Sequence, residues 1–224
     1  MQIKRIIPNS LTCANLLCGS AAVFMATQEQ YLWAFALILA GGLFDFFDGA
    51  SARWLKVPSP LGVQLDSLAD DITFGLAPAM ILMCYLKPII GWWALIALLI
   101  AAFSALRLAK FNVDDRQTSS FIGLPIPANA IFWIGFVAFY YEIGGILNWL
   151  TLAAIVVMSW LMLSSIRIYS LKFKNYSFKE NSHRYILMIA AIVFVAIGGL
   201  MGMAITILYY VLSAVAMRFR AGLK

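Results

Sequence analysis

Residues 31–86 read YLWAFALILAGGLFDFFDGASARWLKVPSPLGVQLDSLADDITFGLAPAMILMCYL. Two apolar runs, each about 20 residues and so long enough to cross a bilayer as a helix, flank a short connection holding Arg53, Lys56, Pro58 and Pro60. Asp45, Asp48, Asp66 and Asp70 lie within these runs, where a membrane helix ordinarily carries no charge. A carboxylate at membrane depth is costly unless it is paired or bound to a cation, so such residues are candidates for function. At roughly 100° per residue, Asp45, Asp48, Gly49 and Ala52 share one face of the first helix, and Gly62, Asp66 and Asp70 share one face of the second. The connection returns the chain, making the helices antiparallel neighbours. The four carboxylates then meet near one end of the pair.

The rest of the chain fits the same medium. Of its 224 residues 63% are hydrophobic and 12% charged, against about 25% charged in a soluble domain. This predicts one integral membrane domain over 1–224, an all-α polytopic bundle of about eight spans at 10–27, 31–53, 61–86, 91–112, 125–142, 149–171, 184–199 and 201–217. The motif falls in the helices of 10–142, while 149–217 supplies additional C-terminal helices. Gly198, Gly199 and Gly202 mark a turn between the last two spans or, alternatively, a small-residue packing face. Eight spans with a cytoplasmic N-terminus place 15 of the 16 Lys and Arg residues on the cytoplasmic side and leave Lys87 outside. That asymmetry predicts cytoplasmic termini and a cytoplasmic aspartate site.

The net charge of +6 comes from basic residues in short connections, which suits anionic lipid or phosphate and argues against nucleic acid. Lys4 and Arg5 before an apolar run resemble a secretory leader, but Pro8, Thr12 and Asn15 interrupt it, so the segment is read as the first span. Cys13, Cys18 and Cys84 have no metal-ligand spacing and read as packing residues. His183 reads as solvated or at headgroup level.

Four carboxylates in a low dielectric need a counter-charge, and oxygen-only ligands select hard cations such as Mg²⁺, Mn²⁺ or Ca²⁺. A two-metal site follows, in which the ions bridge a pyrophosphate and stabilise both attacking and leaving oxygens of an in-line displacement. Gly49 and Ala52 clear space beside the carboxylates, though such small residues, like Gly62, equally serve helix packing. Arg53 offers phosphate a cation. Asp71 points about 100° away from Asp70 and reads as a neighbouring cavity residue. Arg107 lies a turn deeper than Lys110 and Asn112 and would suit an anionic headgroup, a carboxylate or a phosphate.

The pattern Asp45-x2-Asp48-Gly49-x2-Ala52-Arg53-x8-Gly62-x3-Asp66-x3-Asp70 resembles the signature of the CDP-alcohol phosphatidyltransferases at all its fixed positions. Flanking residues are similar to the phosphatidylserine synthase branch: 7–12 with Asn15 and Gly19, 64–78, 105–112 and 123–128. Asp71, Thr73 and Lys110 depart from that branch. The resemblance implies transfer of a phosphatidyl group from CDP-diacylglycerol to L-serine, with CMP released. Asp45 and Asp66 would bridge two divalent cations, Mg²⁺ or Mn²⁺, with Asp48 and Asp70 completing one site each and Asp70 also acting as general base. Gly49, Ala52, Arg53, Gly62, Asn9 and Thr12 would bind CDP-diacylglycerol, and Arg107, Lys110 and Asn112 would bind serine. Membrane lipid is a further partner, and a homodimer is expected.

Two rival readings stand beside this one. Another acceptor (glycerol phosphate, inositol phosphate or choline) would use the same donor chemistry, a phosphorylated one requiring clustered basic residues. A cation-coupled transporter would require broken helices in inverted repeats, which the sequence does not display, and leaves the Gly-x-x-Ala-Arg spacing unexplained.

Overall fold

The computed structural model describes residues 2–57, 59–113, 120–143, 148–169 and 178–222. Pro58, Asp114, Asp115, Arg116, Lys172, Lys174 and Lys224 lie outside the described residues, as do the side chains of Arg167, Lys179, Arg218 and Arg220.

Helix α1 (Gln2–Thr27) is followed by α2 (Tyr31–Trp54). The expected start of the first span at residue 10 is too late: the helix continues N-terminally through Pro8. Pro8 lies in the second turn of the helix, where its missing amide hydrogen leaves the Lys4 carbonyl without an i+4 donor. Glu29, with φ of 60°, turns the chain back between α1 and α2, which pack along their length.

After α2 the chain turns at Lys56, whose φ is 54°, and enters α3 (Pro60–Asp70). Ser59 caps α3 by accepting a hydrogen bond from the Gly62 amide at 3.0 Å, and Pro60 occupies the first turn. Both residues are favourable at a helix start. A π-helical turn over Asp71–Leu76 joins α3 directly to α4 (Ala77–Ile90). Gly91, with φ of 60°, then breaks the helix, and a 3-10 stretch (Gly91–Leu98) leads into α5 (Leu99–Val113). The chain folds back here, because the Ser104 side chain lies against Gly75.

Helices α6 (Ile126–Ile143) and α7 (Asn148–Leu163) follow, then α8 (Phe178–Gly222). Gly199, at φ of 53°, interrupts α8. The rings of Phe194 and Tyr209 are 6.2 Å apart, whereas an unbroken helix would separate those residues by about 22 Å. Helix α8 is therefore a hairpin, turning at the glycine-rich segment.

Among the described residues four helical runs are long and apolar enough to cross a membrane: Lys4–Thr27, Tyr31–Trp54, Pro60–Val113 and Asn181–Met217, the last two being those broken at Gly91 and Gly199. Ile126–Tyr140 and Trp149–Leu163 are shorter apolar helices. The expected span 149–171 is corrected by the structure. Helix α7 ends at Leu163, the Ser164 hydroxyl donates to the Leu161 carbonyl at 2.8 Å, and Arg167–Tyr169 forms strand β2 against β1 (Ser120–Ile122). The all-α expectation thus misses one short antiparallel pair. Gly123 (φ 79°) makes it possible, since a side chain there would overlap the backbone of Met162.

The core lies where the helices converge, with Ile38 of α2, Ile81 and Leu82 of α4, Ile100 of α5 and Trp133 of α6 all buried. Tyr31, Tyr85 and Tyr140 form a chain of edge-to-face rings at 5.6 and 5.5 Å that links α2, α4 and α6. Such aromatic pairs add specific contact energy to the area they bury. They hold the end of the bundle opposite the aspartates.

Candidate active site

Three helices build the site. Asp45 and Asp48 come from α2, Asp66 and Asp70 from α3, and α1 crosses both. Carboxylate oxygens of Asp45, Asp48 and Asp66 lie within 4.8 Å of one another. Asp70, one turn further along α3, is outside this trio yet within electrostatic reach of all three.

Each flank of the cluster is held from α1. The Thr12 hydroxyl sits 2.6 Å from Asp48 Oδ2, donating to it, with the Pro8 carbonyl 3.0 Å away. The Asn15 amide donates to Asp70 Oδ1 at 3.1 Å. Thr12 and Asn15 are both buried, at 4% and 0% exposure. A buried polar group needs a partner; the Thr12 hydroxyl and the Asn15 NH2 find theirs in the aspartates, while Asn15 Oδ1 has none among the described residues.

The donor set is all oxygen, with no Cys or His in the cluster. Hard divalent cations take such ligands, and a like-charged trio this close calls for a counter-charge. The residues present therefore fit a divalent metal.

The trio opens onto a cavity of about 420 Å³. Asn9, Thr12, Gly49, Ala52, Arg53 and Gly62, the residues expected to bind the donor, all line it. The glycines keep it open: a Cβ on Gly49 would come within 3.3 Å of the Arg53 guanidinium, and one on Gly62 within 3.1 Å of Ser59 Oγ. The first turn of α3 also faces this space through Ser59 and Gly62, with the Gly62 amide held by Ser59 Oγ and the Val63 amide by the Ser59 carbonyl. The cavity combines a carboxylate cluster, a cation and a helix start.

The residues expected to bind serine lie elsewhere. Arg107 is 8% exposed and lines a small recess with Lys110 and Ser164 rather than the main cavity. Its Nε has no hydrogen-bond partner among the described residues, its guanidinium carbon is 5.8 Å from the centre of the Phe111 ring, and it feels the charge of Asp70. Asn112 instead donates to Ser67 Oγ at 2.9 Å, tying α5 to α3. Asp71 does not line the cavity either; its Oδ1 sits by Gly75, beside Ser104.

Comparison with known proteins carries the argument to a family. The CDP-alcohol phosphatidyltransferase family profile matches residues 5–161. The chain belongs to that family. It is 34% identical over 180 residues to the CDP-diacylglycerol–serine O-phosphatidyltransferase of Helicobacter pylori, covering 78% of this chain and 76% of the relative. The Bacillus subtilis protein of the same name is 40% identical over 124 residues, or 54% of this chain and 69% of that one. The Methanocaldococcus jannaschii protein of that name is 35% identical over 136 residues, or 60% and 62%. As a member of this family the chain is a phosphatidyltransferase of phospholipid biosynthesis.

Asn15 is not among the residues that the motif assigns to the site, yet it holds Asp70. A signal was present: Asn9, Thr12 and Asn15 recur every three residues in an otherwise apolar run, a polar stripe on one helical face.

Proposed function

We propose that this phosphatidyltransferase moves the phosphatidyl group of CDP-diacylglycerol to the hydroxyl of L-serine, giving phosphatidylserine and CMP. The carrying observation is the single cavity in which Asp45, Asp48 and Asp66 adjoin Arg53 and the start of α3. The relatives named for this reaction support serine as acceptor.

In this reading the serine oxygen bonds to the phosphorus that carries diacylglycerol, the bond from that phosphorus to the CMP oxygen breaks, and Asp70 takes the hydroxyl proton. Asp45, Asp48, Asp66 and Asp70 would hold two divalent ions, Mg²⁺ or Mn²⁺. When bound, these would neutralise the pyrophosphate and the charge on departing CMP. Asn9, Thr12, Gly49, Ala52, Arg53 and Gly62 receive the nucleotide diphosphate. Arg107 is the natural holder of the serine carboxylate, being buried, incompletely paired and close to Asp70. Lys110 flanks it, and Asn112 acts through its tie to Ser67.

The catalytic helices are those of 10–142, with 149–217 as supporting helices. The active site opens to the cytoplasm, and a homodimer is the working assembly. Cysteine labelling in a background lacking the native cysteines should place positions 56 and 179 on one side of the membrane and 87 on the other. Cross-linking in native membranes reads the dimer.

A second acceptor class has an observation in its favour: Arg107 and Lys110 share one recess, as a phosphorylated acceptor would require. Radiolabel transfer from CDP-diacylglycerol in detergent, with serine, glycerol 3-phosphate, inositol phosphate and choline offered separately, decides between them. Phosphatidylserine as the only lipid product supports the proposal, and a product from another acceptor alone overturns it.

A further inference from the structure

Asp70 stands apart from the other three aspartates, and its side-chain hydrogen-bond partner is on α1. One carboxylate oxygen is taken by the Asn15 amide at 3.1 Å. Asn15 is itself fixed from behind, because the Thr73 hydroxyl, fully buried in the π-helical turn, donates to the Asn15 backbone carbonyl at 3.0 Å. Two glycines admit this arrangement. A Cβ on Gly41 would lie 2.6 Å from Thr73 Cγ2 and 2.8 Å from Asn15 Oδ1, while one on Gly19 would overlap the Thr73 hydroxyl. Three elements therefore close on a single amide, and the π-helical turn begins at the residue after Asp70. Such turns recur at functional sites because they re-aim side chains.

We propose that Asn15 is the positioning residue for Asp70, holding one carboxylate oxygen so that the other is presented to the cation site and the acceptor hydroxyl, and that Thr73 sets Asn15. This rests on the reading of Asp70 as the base. A plain interhelical tether would affect folding or donor binding. A positioning residue affects turnover, since groups that orient a reacting side chain are felt at the chemical step.

The test uses the full chain purified in detergent, as wild type and as Asn15→Leu, Thr73→Val, Thr73→Ser and Asp70→Asn. Turnover and KM are measured for CDP-diacylglycerol and serine, with Mn²⁺ binding by electron paramagnetic resonance in the absence of substrates. Asn15→Leu and Thr73→Val should lower kcat about 10- to 100-fold, with donor KM and Mn²⁺ affinity within about twofold of wild type. Thr73→Ser, which keeps the hydroxyl, should restore most of the rate. Unchanged kcat in Asn15→Leu, or loss of Mn²⁺ and donor binding in parallel with kcat, overturns the proposal. If Asn15→Leu does not fold, the Thr73 pair decides: equal rates in Val and Ser overturn it. Asp70→Asn separates the two layers. Retained turnover there defeats the base reading, whereas its loss beside a fully active Asn15→Leu defeats only the positioning role.

Discussion

Helices α1 and α2 form one helical hairpin, and α8 folds into another, yet the two use their length differently. The first buries Thr12, Asn15 and Asp48, and hydrogen bonds tie α1 to the aspartates and to the π-helical turn. The second is mostly apolar, and a smaller share of it is buried. It packs on α6 through the close approach of Gly135 to the Ala204 amide. Beyond the family match, which ends at residue 161, the chain continues through this apolar element. The same architecture thus serves chemistry when its face is polar and packing when it is not. Substitutions in the first hairpin should change rate, and those in the second should change stability alone.

The sharpest break between the two comes from the carboxylates. Asp70→Asn should lower kcat by about 10²–10⁴-fold, the usual worth of a general base, with donor binding surviving. Asp45→Asn removes a member of the trio and should weaken donor binding as well. EDTA should abolish activity, and Mn²⁺ or Mg²⁺ should restore it. Truncating Ile197, which is 83% exposed at the α8 turn, should leave every kinetic constant within twofold. Activity in EDTA, or equal donor loss in Asp45→Asn and Asp70→Asn, would break the assignment.

Arg107 belongs to neither hairpin, since α5 packs against the π-helical turn on one side and against α7 on the other. Arg107→Lys keeps the charge but loses the planar fork that grips a carboxylate at two points. One charge-assisted contact is worth about 1.5–3 kcal/mol, so KM for serine should rise roughly ten- to a hundredfold while KM for CDP-diacylglycerol stays put. A raised donor KM with unchanged serine KM would place Arg107 in the phosphate site instead.

Much of this was legible before any coordinates, and the reason is periodic. Membrane helices advertise themselves by long apolar runs, and a motif whose residues recur at helical spacing places its own carboxylates on one face. Asp45, Asp48 and Asp66, with Gly49, Ala52, Arg53 and Gly62, meet around one cavity as that spacing implies. What the spacing could not reveal depends on contacts between helices or on non-helical backbone. Asn112, expected to hold serine, instead donates to Ser67 Oγ, a contact between α5 and α3 that spacing along one helix cannot reveal. The π-helical turn after Asp70 is backbone that helical spacing does not signal, and it is this turn that sets the Thr73 hydroxyl against the Asn15 carbonyl. The β1–β2 pair arises where α7 stops short at Ser164, a local hydrogen bond that hydropathy does not register.

Glycines give the finest comparison. Gly41 of the first hairpin faces Thr73 and Asn15 with no room for a methyl group, whereas Gly198 of the second has nothing within 4 Å of where a Cβ would stand. Overpacking a closed contact costs about 1–3 kcal/mol, so Gly41→Ala should lower the thermal midpoint in detergent and reduce kcat by displacing Asn15. Gly198→Ala meets no obstacle and should be neutral, or stabilise by up to about 1 kcal/mol through a less flexible unfolded chain. Gly199→Ala meets open surroundings, but a φ of 53° with ψ of −132° is a backbone conformation that favours glycine and costs an alanine about 1–3 kcal/mol. It should lower the midpoint without touching kcat. Gly41→Ala that melts normally and turns over at the wild-type rate would show that the first hairpin can yield at this contact, and its distinction from the second would then rest on the carboxylates alone.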